Sequence, residues 1–322
     1  MHHIAPDDHR DVFSISAHQA VRDLIWCILS PPLIDSSSPL YGRRSVTQRW
    51  CDEHLQRFIP HLLSLAKDPT PLESWCSSRQ NQKLGRYFET LISYWLHHSP
   101  GIVDVRQSLQ VMHNHLTLGE FDFLFYDQMT QQHYHLEVAI KFYLQYGSGL
   151  ALSDYIGPSG TDRLDRKVLL LFEKQLSLGS TEPGARLLQM VLGQSHVTPL
   201  AFVKGMIFVP ADKETEVDRA LAPGISPQCL RGSWLTQSTL TGVLSGESPL
   251  RWRPVPRLHW LSPVIASGPH DALTDEAMRR TVEHHFATSS DPIMLAMLKY
   301  DHATQVWGEQ GRVFVLKEAP LS

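Results

Sequence analysis

Cysteine is scarce in this 322-residue chain: Cys27, Cys51, Cys76 and Cys229 stand far apart, with no C-x-x-C pair. That spacing excludes a disulfide framework and a zinc ribbon of thiolates, and it fits free thiols in a reducing compartment. A basic excess is missing too. With 29 Lys and Arg against 33 Asp and Glu, the formal net charge is -4, which excludes a protein that coats nucleic acid by bulk electrostatics and leaves room for an enzyme with a local basic groove. No uninterrupted apolar run approaches the roughly twenty residues that span a bilayer. The opening MHHIAPDDHR has neither the basic start nor the apolar stretch of a signal peptide, so the expected location is the cytoplasm, away from membranes. There is no G-x-x-x-x-G-K-[ST] phosphate loop, no H-E-x-x-H, no G-x-S-x-G and no internal repeat. P-loop, zinc-protease and serine-hydrolase readings therefore have no motif behind them.

What is present is a hydrophobic content of 42%, sufficient for a sizeable core. Residues 1–83 read as an N-terminal helical region: Val21 to Leu29 is an apolar run stopped by Pro31 and Pro32, and Val46 to Leu65 has helical spacing. A third helix covers Leu84 to Leu96, with Leu84, Phe88, Leu91 and Trp95 on one face. Beyond Pro100 the period becomes alternating and predicts three strands, IVDVRQSLQVM, GEFDFLFYD and HYHLEVAIKFYLQY. The Gly/Ser-rich loop YGSGLALSDYIGPSG leads into a helix from about Thr161 to Leu178, where Thr161 or Asp162 can cap, and AFVKGMIFVP follows as a strand ended by its proline. Residues 84–210 thus read as one α/β core. Residues 211–322 read as an α+β extension or subdomain: a loop-rich stretch to residue 255, a helix near Thr274 to Phe286, and a hairpin of IMLAMLKY and RVFVLKE turning at Gly308 to Gly311.

In the second strand, alternation places Glu120, Asp122 and Leu124 opposite Phe121, Phe123 and Phe125. In the third, His135, Glu137, Ala139 and Lys141 share one side, and Leu136, Val138, Ile140 and Phe142 the other. Carboxylates in so apolar a setting need pairing or a metal ion. Two of them on neighbouring strands can hold Mg²⁺ or Mn²⁺ through oxygen, with water and a substrate phosphate completing the shell, and a nearby lysine can orient the attacking water.

The helix with Glu89, the strand with GEFD, the strand with HLEVAIK and the helix and strand after them resemble the α-β-β-β-α-β core of the PD-(D/E)XK nuclease superfamily over residues 84–210. That resemblance implies a restriction-endonuclease-like α/β fold with a mixed central sheet and a Mg²⁺-dependent phosphodiesterase acting on nucleic acid. It implies Asp122 and Glu137 as the motif carboxylates and metal ligands, Lys141 as the lysine, and Glu89 as the helix acid. The pattern is Glu-x-Lys, about 7 Å along a strand, whereas Glu137 to Lys141 spans about 13 Å and position 139 is alanine. A bulge after Glu137, replacement by Lys204, or loss of catalysis would each account for the difference. The whole chain also resembles an uncharacterised bacterial family catalogued as a domain of unknown function, number eighteen fifty-three, in VRDLIWCILSPPL, LGRYFETLISYWL, GEFDFLF, HLEVAIKFYL and GPSGTDRLDRK.

Other residues join the candidates at lower rank. Glu120 is a further ligand or a partner for Arg86. Arg163, Lys167 and Lys174, with Arg166 close by, form a phosphate-tracking edge or a solvated mixed-charge face, and Gln175 on the buried stripe of that helix touches the site or is a core amide. His113 with His115, and His133 with His135, each put two imidazoles on one strand face, short of a zinc set without a third ligand. Trp26, Tyr94 and Trp95 are core residues by their spacing. Two readings compete with the nuclease: a nuclease-like fold that binds nucleic acid or a protein without cutting, and a scaffold whose strand acids form internal ion pairs.

Overall fold

Apolar spacing sets the helices. In the computed structural model, which describes residues 16–77, 83–212, 220–243, 249–266, 268 and 271–318, the N-terminal helices are α1 (Gln19–Leu29), α2 (Gln48–Lys67), α3 (Thr70–Ser77) and α4 (Leu84–His98). The opening decapeptide, read above for a leader, lies outside the described residues. Leu84, Phe88, Leu91 and Trp95 are all buried, as are Trp26 and Tyr94. Thr47 starts α2 by accepting the Trp50 N–H at 3.1 Å. Among the described residues no helix is long and apolar enough to cross a membrane.

The protein is mixed α/β with a large mixed sheet. It divides into two compact units, one made of Met1–Lys141, Arg166–Gly205 and Gly224–Cys229, the other of Phe142–Asp165, Met206–Pro223 and Leu230–Ser322. The first unit holds β1 (Ile102–His113), β2 (Leu116–Asp127) and the opening parts of β3 (Gln132–Gln145) and β5 (Thr198–Pro210), in the order β1-β2-β3-β5, with β1-β2 and β2-β3 antiparallel. β2 is the only partner of β1 among the described strands, and β1 is irregular: Asp104 and Ser108 take φ of 55° and 56°, and the register shifts between Val103 and Arg106. Val111, Phe121, Leu124, Leu178 and Leu188 form an apolar cluster of this unit. Gly205 has no room for a side chain, since a Cβ there would stand 1.7 Å from the Lys141 carbonyl oxygen.

In the second unit the end of β5 pairs in parallel with β6 (Leu230–Thr236), β6 in parallel with β10 (Val306–Leu316), and β10 and then β7 (Arg251–Pro254) antiparallel with β9 (Ile293–Asp301). Two-residue strands β4 (Tyr155–Ile156) and β8 (Ile265–Ala266) add to β3 and β10. α7 (Gln237–Val243) and α8 (Asp275–Thr288) cover an apolar cluster that includes Leu235, Leu240, Trp252, Met278, Val282 and Val313.

Three expectations are corrected. The helix expected from Thr161 to Leu178 begins at Leu164: α5 (Leu164–Leu169) passes into a π turn over Leu170–Gln175, with the Leu176 N–H bonded to the Leu171 carbonyl at 2.9 Å. α6 (Glu182–Leu192) follows, a helix not read from the sequence, capped by Thr181 and closed by Gly193 at φ 71°. The loop-rich stretch 211–255 contains β6, α7 and β7. The hairpin turns at residues 302–305, since Gly308 and Gly311 lie inside β10. A Cβ at Gly311 would meet Met297 Cε at 2.8 Å, so this glycine serves a crowded cross-strand site beside a register shift.

Candidate functional site

The β2-β3 ladder runs from Asp127 opposite Gln132 to Phe123 opposite Leu136 and stops there. The next pair in register is Asp122 and Glu137. Where the strands part, carboxylates replace the missing ladder partners: the Val138 N–H donates to Asp122 Oδ2 at 2.9 Å, and the Asp122 N–H points at Glu137 Oε1 at 3.5 Å. Glu137 is fully buried. Its Oε1 also lies 2.7 Å from His135 Nε2, and its Oε2 accepts from Gln175 Nε2 at 2.6 Å. His135 is held edge-on to the Phe121 ring, with centroids 4.6 Å apart. Glu137 therefore spends both oxygens on protein donors, whereas Asp122 accepts one backbone N–H through Oδ2 alone.

Burial, and next the charge of Glu137, push the Asp122 carboxyl up to about 8; Glu89 adds in the same direction, while the Val138 N–H and the Lys167 charge pull it back. Lys167 is tied to the pair by a second route, because its Nζ donates at 3.1 Å to Oε1 of the same Gln175 that holds Glu137. The π turn makes that link. An α-helix would rotate residues eight apart by about 80° from one another, and the wider π winding returns Gln175 towards the face of Lys167.

The structure thus gathers Asp122, Glu137, Gln175 and Lys167, with Glu89 acting electrostatically on Asp122. Glu89 is 29% exposed and pairs with Arg86 at 2.9 Å. Glu120 is half-buried, opposite Gln110 in the β1-β2 ladder, and its side chain makes no hydrogen bond or ion pair among the described residues. Lys141 lies half-buried on β3, its carbonyl against Gly205. Arg163 forks onto Asp165 at 3.0 and 2.6 Å. Lys204 is committed elsewhere: it is buried, donates to the carbonyls of Ser30 and Ile28 at the end of α1, and lies 4.9 Å from the Phe202 ring centroid. Among the described residues no group of three or more His, Cys, Asp or Glu side chains is placed to hold a metal ion, so the two histidine pairs do not build a zinc site there. His135 as a direct partner of Glu137 was not read from the sequence; the signal was the His-x-Glu alternation, which puts both on one face.

The family model for Domain of unknown function (DUF1853) matches residues 22–316. The chain belongs to this family. Neither a curated protein nor a solved structure matches this DUF1853 chain. The match begins within α1, runs to the end of β10 and includes the parted strands with Asp122 and Glu137.

Proposed function

We infer that the protein is a Mg²⁺- or Mn²⁺-dependent phosphodiesterase acting on nucleic acid, built on a PD-(D/E)XK-like core. The observation that carries this reading is the carboxylate pair at the end of the β2-β3 ladder, with Asp122 raised to about 8 by burial and by Glu137. Two acids crowded in this way lower their mutual repulsion by sharing a hard cation, and Asp122 Oδ1 and Glu137 Oε2 are the oxygens that would hold it, Oε2 exchanging its Gln175 donor. The donor set suits magnesium, which commonly keeps several waters beside one or two carboxylates. When bound, the ion would neutralise phosphoryl oxygens and acidify a water. Lys167 is a cation coupled to the pair; it orients Gln175 and favours the ionised Asp122. Glu89 supports the site through its charge.

The saturation of Glu137 by protein donors favours a second reading, a nuclease-like protein that binds nucleic acid or a protein partner without cleaving it. Thermal unfolding with and without Mg²⁺ or Mn²⁺, followed by incubation with labelled single- and double-stranded DNA and RNA, separates the two. The nuclease reading expects the midpoint to rise with metal in wild type and not in an Asp122→Ala, Glu137→Ala double variant, with cleavage that Lys167→Met abolishes. No metal-dependent rise and no cleavage would move the assignment to binding alone.

A further inference from the structure

In the second unit, α7, α8 and Lys317 just beyond β10 enclose an open cavity of about 340 Å³. Its floor is apolar: Leu240 and Val282 belong to the buried cluster of that unit. Among the described residues its walls are polar, with Gln237, Ser238, Arg279, Glu283 and Lys317, so two cations face one carboxylate. Neighbouring Arg280 is paired with Glu276 at 3.3 Å, one turn away on α8. Arg279 makes no such pair with Glu283, and its Nε is buried without a hydrogen-bond partner among the described residues.

We propose that this cavity binds a phosphate monoester of nucleoside-monophosphate size. A guanidinium matches phosphate oxygens in a fork, and the Lys317 ammonium adds a second, mobile charge. The volume is at the lower end for small-molecule sites and exceeds what a bare phosphate fills, while Leu240 and Val282 offer a surface for a ring. Glu283 accepts from hydroxyl groups of the ligand, as acids do at ribose, and its charge selects against further phosphates on the same ligand. The site draws on none of the groups around Asp122 and stands whether or not the protein cleaves nucleic acid.

Isothermal titration of the full-length protein in chelator, with AMP, UMP and inorganic phosphate, tests the proposal. The expected result is saturable binding of a nucleoside monophosphate, tighter than inorganic phosphate, weakened at least tenfold by Arg279→Gln and by Lys317→Gln and unchanged in the Asp122→Ala, Glu137→Ala double variant. Lys317 is exposed, so its variant keeps the test valid if Arg279→Gln fails to fold. Absence of saturation, equal or tighter binding of inorganic phosphate, or undiminished affinity in Lys317→Gln would overturn it.

Discussion

Among the described residues Asp122 leaves Oδ1 without a protein donor, while both oxygens of Glu137 accept hydrogen bonds, and the two acids should respond in opposite ways to the same amide replacement. In Asp122→Asn the amide oxygen keeps the Val138 N–H, the NH₂ takes the Oδ1 position, and the repulsion with Glu137 is gone. Urea unfolding at pH 8.5 in chelator should find this variant more stable than wild type by at least about 1.4 kcal/mol, the worth of a single pKa unit. Glu137→Gln turns an NH₂ towards His135 or Gln175, both of which donate there, and should cost about 1–3 kcal/mol. The pH dependence follows from the raised Asp122 carboxyl, about 8 when folded against the usual 3.8. Between these values the folded state holds a proton that the unfolded chain has released, so this group's contribution is complete below pH 4 and is lost as pH rises through about 8. Asp122→Asn should flatten that slope; an unchanged slope would mean that the acid is not raised. At this scale the sequence was most informative where the alternation was strict: GEFDF set Asp122 opposite an aromatic face, and HLEV set Glu137 on the face of His135 in the next strand. Gln175 stood out by its place on the buried stripe of its helix, but no local pattern identified Glu137, 38 residues away, as the partner it takes.

Elements were legible in proportion to how local their causes are. α4 follows from Leu84, Phe88, Leu91 and Trp95, and β1 to β3 from alternation, because the apolar period that sets each lies within one short stretch. The π turn at Leu170–Gln175 is different: nothing in LLFEKQ separates it from an α-helix, and it is held by contacts across the fold, among them Gln175 with Glu137. α6 was not read from the sequence, although Thr181 as a cap with Pro183 near the helix start is a favourable beginning. Deleting Leu170, an exposed residue of the π turn, should restore α winding and rotate Gln175 away from Lys167 and Glu137. Far-UV circular dichroism should keep its helical signal while the metal-dependent rise in midpoint falls to less than half the wild-type rise. A full rise in the deletion variant would show the π turn to be dispensable for the site.

At the scale of the whole molecule, the chain leaves each compact unit and returns to it, so that β3 and β5 contribute residues to both. Sequence composition could not reveal this, since a shared strand has no boundary marker of Pro, Gly or Ser at Lys141 or Gly205 that differs from an ordinary strand glycine. A fragment ending at residue 210 keeps Phe142–Asp165 and Met206–Pro210 but removes β6, the parallel partner of Met206–Pro210, and Trp234, whose Nε1 donates to the Gln145 carbonyl at 2.9 Å. Limited proteolysis should cut that fragment within 142–165 at least tenfold faster than the full chain, with mass spectrometry locating the cut; equal rates would make the first 210 residues self-sufficient. The marginal strand β1 carries a different consequence. A long strand with an unpaired edge is a template on which further copies can stack, and at high concentration such stacking ends in fibres. Asp104 and Ser108, left-handed within that edge, turn its N–H and C=O groups out of line, so an arriving strand would find no continuous row to read and stacking would not begin.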